Sequence, residues 1–361
     1  MGKTLIFPCG VPAARAYADA ARQRGEATIA ASSLAYDESA ARFDEWLYLP
    51  SVFEKDFAER LNAVVSEHGI DRIFSPVSAA HWGITNLIAD GSVHVPVIGE
   101  MPIRQHAREH AELMEQAREC LALVGIISEG RSELSVIETA AVLSKAMAFF
   151  GESDETKIAA MLAIFADAPV GDVVEIGVLT GRSASVLEMM ARRYRLGPVL
   201  AIDPWAYVES AQHDSPSHLQ TMVDVWDARV PFETFLVQLL PIARGGSFNY
   251  LPMTSRAAHH IWSARDEIAS PEFGATRYGK DIAVLHIDGN HDYLAVKEDV
   301  DLWLPHVKQR GWLILDDYFW LHGDGPRRVG DALLQERQAN ICRAFVCGRA
   351  LFLQVGSSHA G

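Results

Sequence analysis

The chain has 361 residues, 49% of them hydrophobic, and carries 32 basic against 47 acidic side chains for a formal charge of −15. That length points to two domains, and the negative charge, with no dense Lys/Arg cluster to offset it, argues against nucleic acid as a partner. No apolar run reaches the ~20 residues of a membrane helix, and four scattered cysteines, Cys9, Cys120, Cys342 and Cys347, suit neither a disulfide framework nor a zinc site.

The start, "MGKTLIFPCG", has one lysine and too short an apolar stretch for a signal peptide. It reads as a first strand, and the protein is expected in the cytoplasm. Up to about residue 100, strand-like "TLIFPC", "ATIAAS", "EWLYLP" and "DRIFSPV" alternate with helix-like "AARAYADAARQRG" and "FEKDFAERLNAVVSEHG". Strands separated by helices of this length imply a parallel, doubly wound sheet. From His106 to Phe150 the pattern is helical, with Gly125 and Gly130 as expected breaks.

A second series begins near Gly171: strand "DVVEI", turn "GVLTG", helix "RSASVLEMMARRY" with Val186, Leu187, Met190 and Tyr194 on one face, and strand "PVLAID". After a long polar and aromatic segment come strand "IAVLHID", a further helix, strand "WLILDD", and two β-runs around Cys347 and Gly348 that read as a closing hairpin. The fold class is thus α/β. Residues 1–104 are expected to form a smaller Rossmann-like domain, 105–150 a helical connector, and 151–361 a larger domain with a Rossmann-like sheet.

Two patterns carry chemistry. In "EIGVLTGRS", Glu175 to Ser183, a strand feeds a helix through glycines 177 and 181, which lets backbone approach a ligand and aims helix N-terminal amides at an anionic group. Asp203 ends the next strand near the ~20-residue spacing at which such folds hold a ribose hydroxyl. The dinucleotide fingerprint G-x-G-x-x-G is absent. In "HIDGNHDY" and "LILDDY", the carboxylates Asp288, Asp316 and Asp317 stand at the ends of buried strands, where open α/β sheets bind ligands. Three acids at one edge repel unless a cation compensates them, and all-oxygen ligation suits Mg²⁺. His291 lies beyond the strand end as an available base, whereas His286, inside the strand, reads as a satisfied core residue.

"VVEIGVLTGRSA", "VLAIDPW", "HIDGNHDYLAVKEDVDLWLPHVKQRGWLILDDY" and "GPRRVGDALL" resemble the class I S-adenosylmethionine-dependent methyltransferases, specifically the metal-dependent O-methyltransferases of the catechol type and of the sugar and natural-product type grouped with cephalosporin hydroxylase-like proteins. The resemblance implies that Glu175, Gly177 and Gly181 shape the methionine end of a donor pocket, Ser183 holds its carboxylate and Asp203 the ribose. It also implies that Ser255 borders adenine, although Met253 and Thr254 depart from the family pattern there. Asp288, Asp316 and Asp317 would ligate Mg²⁺, and His291 would take the proton of a small-molecule hydroxyl acceptor, a sugar before a catechol. The first 100 residues resemble the domain preceding the catalytic part of ATP-grasp ligases. Its expected part is acceptor binding or assembly of a homo-oligomer, or none at all.

Acceptor choice is expected from the 204–250 segment, with Trp205, Tyr207, His213, His218 and Trp226, and from "YFWLHGDG" after the metal acids. Two other classes stay open. A nicotinamide oxidoreductase would use the same glycine turn and ribose acid, and a noncatalytic binding or assembly protein could use the same scaffold.

Overall fold

A computed structural model describes residues 2–206, 212–214, 227–336 and 340–356. Tyr207, His218 and Trp226 therefore lie outside the described residues. The chain divides into two compact units, Met1–Glu112 and Leu113–Gly361.

The first unit is a five-stranded parallel sheet in the order β3-β2-β1-β4-β5, built from β1 (Lys3–Ile6), β2 (Ala27–Ser32), β3 (Trp46–Tyr48), β4 (Ile70–Phe74) and β5 (Val97–Ile98). Helices α1 (Pro12–Gln23), α2 (Phe57–His68) and α3 (Ser78–Ala89) make the crossovers. Pro12 opens α1, where its missing N–H costs nothing. Gly69, in the left-handed region, closes α2 and turns the chain directly into β4.

Helix α4 (Pro102–Ile127) carries the chain from one unit to the other. It passes through Gly125, so the break expected there does not occur. A mid-helix glycine costs only about 1 kcal/mol, less than a long amphipathic helix gains from its neighbours. The stop comes at Glu129 and Gly130, both at positive φ.

The second unit follows with α5 (Val136–Met147), α6 (Glu155–Ile164) and a seven-stranded sheet. Its strands are β6 (Asp172–Ile176), β7 (Val199–Ile202), β8 (Phe248–Leu251), β11 (Ile282–Ile287), β12 (Val307–Leu315), β13 (Ile341–Cys347) and β14 (Ala350–Val355), in the order β13-β14-β12-β11-β6-β7-β8. All pairings are parallel except those of β14, which runs antiparallel to β12 and β13 and closes the expected hairpin. A separate two-stranded ribbon joins β9 (Glu267–Ser270) to β10 (Gly274–Arg277).

Alternation along the strands builds two cores. Val173, Val199, Ala201, Trp312 and Ile314 face one layer with α5, α6 and α7 (Arg182–Tyr194), while Val174, Leu200, Leu285, Leu313 and Leu315 face the other. That second layer holds Ala258 and Trp262 of α9 (Ser255–Ala264), Val296, Val300 and Trp303 of α10 (Tyr293–Trp303), and Val329 and Leu333 of α11 (Gly325–Glu336). Helix α8 (Arg229–Leu239) precedes β8. Among the described residues no helix is long and apolar enough to cross a membrane.

In this layer Nε2 of His259 lies 3.1 Å from Nε2 of His306, with the rings of Trp262 and Trp303 against them. Burial, then the neighbouring His306, lowers the pKa of His259; burial, then Lys280, lowers that of His306. Folded values below the unfolded value of ~6.5 mean that this stability is full above pH 6.5 and is lost as pH falls through the folded values. The melting temperature should therefore drop between pH 7 and 5, and less steeply in His259→Gln. Parallel pH profiles for the two proteins would remove the pair from the account.

Candidate active site

Three neighbouring strands bring the chemical residues together. The Gly177 amide donates to the Ile202 carbonyl at 2.8 Å, that of Asp288 to Ile176 at 2.7 Å and that of Asp316 to Ile287 at 2.9 Å. These bonds carry β6, β11 and β12 one step further and set their first loop residues side by side at the carboxyl edge of the sheet. Only glycine serves at 177, since its φ is +83° and a Cβ there would lie 2.0 Å from the Asp288 carbonyl oxygen. Gly181, at φ +87°, caps the N-terminus of α7 under Phe235 and Leu239.

A cavity of about 820 Å³ opens at this edge, lined by Gly177, Ser183, Asp203, Ser255, Asp288, His291 and Asp317, and also by Trp205, Asp299 and Trp320. Glu175, Gly181 and Asp316 do not line it. Three non-glycine residues at positive φ cluster here, Leu179, Trp205 and Asp317, and such strain concentrates where surrounding structure fixes a site.

Asp203 is already engaged. Its Oδ2 accepts the amides of Val178 at 2.8 Å and Leu179 at 2.9 Å, and its Oδ1 that of Trp205 at 2.8 Å. The acid thereby pins the glycine turn to the next strand. Burial raises its pKa, and the three amides act against that. Ser255 Oγ accepts from Trp303 Nε1 at 2.9 Å, and burial pushes nearby Asp299 up to about 6.

Behind the cavity wall, strand register pairs His286 with Glu175. Both are fully buried, and His286 Nδ1 lies 2.9 Å from Glu175 Oε1. Burial pushes Glu175 up to about 8 and His286 well below its ordinary value, so the pair is neutral and shares one hydrogen bond. The expectation of a satisfied core histidine holds for one nitrogen only. His286 Nε2 has no hydrogen-bond partner among the described residues. That Nε2 faces the acids, 3.6 Å from Asp316 Oδ2 and 3.9 Å from Asp288 Oδ2.

The residue that sequence reasoning missed is Lys157. Its Nζ lies 3.3 Å from Asp288 Oδ2 and pairs closely with Asp316 Oδ2, and the residue is 2% exposed. It sits in the first turn of α6, where Asp154 caps the helix by accepting the Lys157 amide at 2.7 Å. From Lys157 to Ile164 every residue of α6 is buried. A lysine heading the apolar run "IAAMLAIF" was the available signal, because such a run buries its helix all round and an internal lysine then needs a partner.

The three acids do not converge on one point. Among the described residues, two sets of ligand atoms each lie within 4.8 Å of one another: His286, Asp288 and Asp316, and Asp288, His291 and Asp317. Asp288 belongs to both. The second set lines the cavity throughout, and two carboxylates beside an imidazole fit a divalent cation. His291 Nε2 is 3.3 Å from Asp317 Oδ2, its ring packs edge-on to Trp320 at 4.4 Å, and its buried Nδ1 has no hydrogen-bond partner among the described residues.

Residues 174–318 match a family model described as a methyltransferase domain. The chain is therefore an enzyme, with methyl transfer as the chemistry of its second unit. Solved structures similar to it include the O-methyltransferase NovP, at 13% identity and a TM-score of 0.38 over 67% of this chain and 99% of that one. CalS11, a calicheamicin methyltransferase, is 13% identical with a TM-score of 0.40 over 66% and 91%. The MycE methyltransferase of the mycinamycin biosynthetic pathway, in complex with Mg, S-adenosylhomocysteine and mycinamycin VI, is 14% identical with a TM-score of 0.38 over 63% and 58%. No curated protein matches the sequence significantly.

Proposed function

We propose that the second unit moves the methyl group of S-adenosylmethionine to a hydroxyl of a small molecule, a sugar or another natural product. The observation that carries this reading is the state of His291. A carboxylate 3.3 Å from Nε2 orients the ring, and Nδ1 has no hydrogen-bond partner among the described residues. An imidazole held in this way beside a cavity is a proton acceptor for a hydroxyl.

The donor would lie along the edge between β6 and β7, with its carboxylate toward Ser183 at the α7 N-terminus and its ribose at Asp203. An ionised carboxylate offers about four lone-pair positions. Three at Asp203 are used, which leaves one for a ribose hydroxyl. Bound there, S-adenosylmethionine supplies a methyl already activated by its sulfonium. A divalent ion such as Mg²⁺, held by Asp288 and Asp317, would supply Lewis acidity toward the acceptor oxygen. The protein's own part is placement, worth roughly 7–11 kcal/mol at best, and removal of the hydroxyl proton by His291.

Calorimetric titration with S-adenosylmethionine tests the donor half of this reading. Asp203→Ala removes the ribose acceptor and frees the glycine turn, so binding should weaken by about 1.5–3 kcal/mol. Unchanged affinity would move the ribose site elsewhere. For the acceptor half, mass spectrometry of a sugar-nucleotide and natural-product panel incubated with enzyme and donor should show products heavier by one methylene. Methylation found only on nitrogen or carbon would refute the hydroxyl assignment.

A further inference from the structure

The two sets of acids differ in what already occupies them. In the inner set, Asp316 has both oxygens in use. Oδ1 accepts the Asp317 amide at 2.8 Å, and Oδ2 is held by Lys157. The same ammonium reaches Asp288 Oδ2 at 3.3 Å. His286 Nε2, fully buried and without a hydrogen-bond partner among the described residues, points at these two oxygens. Lys157 thus lies at the focus of the inner set, in the place a metal ion would take. It is fixed there from two sides, by the Asp154 cap and by Gly348 of the closing hairpin, where a Cβ would lie 2.5 Å from the Lys157 amide nitrogen. The outer set, Asp288, Asp317 and His291, faces the cavity instead.

We infer that Lys157 is the resident cation of the inner set, so that Asp316 serves the ammonium, and a divalent ion is confined to the two carboxylates of the outer set, Asp288 and Asp317, where it contends with Lys157 for Asp288. This rests on the divalent-ion reading above. Two like-charged neighbours sharing one carboxylate repel. Removing the ammonium should both strengthen metal binding and open the inner position, with His286 Nε2 as a nitrogen ligand.

The test is calorimetric titration of the full chain with Mn²⁺ alone. Wild type should take one ion. Lys157→Gln should bind on the order of tenfold more tightly, or take a second ion. A variant whose affinity and stoichiometry equal those of wild type, or whose binding is weaker, overturns the inference while leaving the divalent reading intact. Binding by the variant but not by wild type upholds Lys157 as the resident cation of the inner set and overturns the divalent ion of the outer set in wild type. Binding by neither sinks both.

Melting without metal gives an independent readout. Lys157→Gln should melt lower by roughly 5–15 °C, as expected when one partner of a buried pair is removed, and Mn²⁺ should raise it. The double variant Lys157→Met with Asp316→Asn removes both partners and should regain most of the loss. It should also keep one Mn²⁺ in the outer set, which gives a test even if the single variant does not fold. Loss of Mn²⁺ from the double variant would make Asp316 a ligand and refute the assignment, as would a double variant no more stable than the single one.

Discussion

Replacing His291 with alanine should lower turnover by roughly 10² to 10⁴, with affinity for S-adenosylmethionine little changed. The separation follows from geometry. His291 meets Asp317 and Trp320 at the cavity, whereas the expected donor contacts stand just past β6 (Gly177), in the first turn of α7 (Ser183) and just past β7 (Asp203). The remaining activity should rise with pH as hydroxide takes over proton removal. Asp317→Asn should lower turnover at least as far, because it weakens the hold on the divalent ion as well as the contact that orients His291. Single-turnover rates with saturating donor, measured across pH, separate these effects from binding. Full activity of the alanine variant near neutral pH would show that the proton leaves by another route.

The second large effect is expected at Gly177. An alanine there must tolerate φ of +83° and place its Cβ 2.0 Å from the Asp288 carbonyl oxygen, where backbone stands on both sides. The ends of β6 and β11 would have to part, displacing Asp288 from both acid sets and the glycine turn from Asp203. Destabilisation of at least about 2–4 kcal/mol in urea titration and loss of measurable donor binding should follow. Gly130→Ala is the control, since its φ is +76° but a Cβ there meets nothing within 4 Å. It should cost only the backbone strain, about 1 kcal/mol. Equal losses for the two variants would show that the close strand contact is unimportant.

Much of the fold was legible because its rules are local. Short, nearly continuous apolar runs such as "VVEI" and "IAVLHI" and the helical spacing of Val186, Leu187 and Met190 announced the elements. Helices between strands announced parallel pairing, and Cys347 with Gly348 announced the hairpin. The position of Gly125 misled because a glycine signals weakness and does not by itself stop a helix held by its neighbours. The sheet edge was legible for the same reason as the elements, since residues that end buried strands must meet where the strands end. That placed Gly177, Asp203, Asp288 and Asp317 around one cavity.

What tertiary structure alone decided is the charge balance behind that edge. Lys157 precedes Asp288 by more than a hundred residues, and its partners are set by the packing of α6 beneath the closing hairpin. The pairing of His286 with Glu175 comes from strand register, which no local pattern encodes. By itself the sequence determined which acids stand at the ends of neighbouring buried strands. Which cation holds which acid depends on burial, because only a water-excluded contact between distant segments makes one pairing stronger than its alternatives.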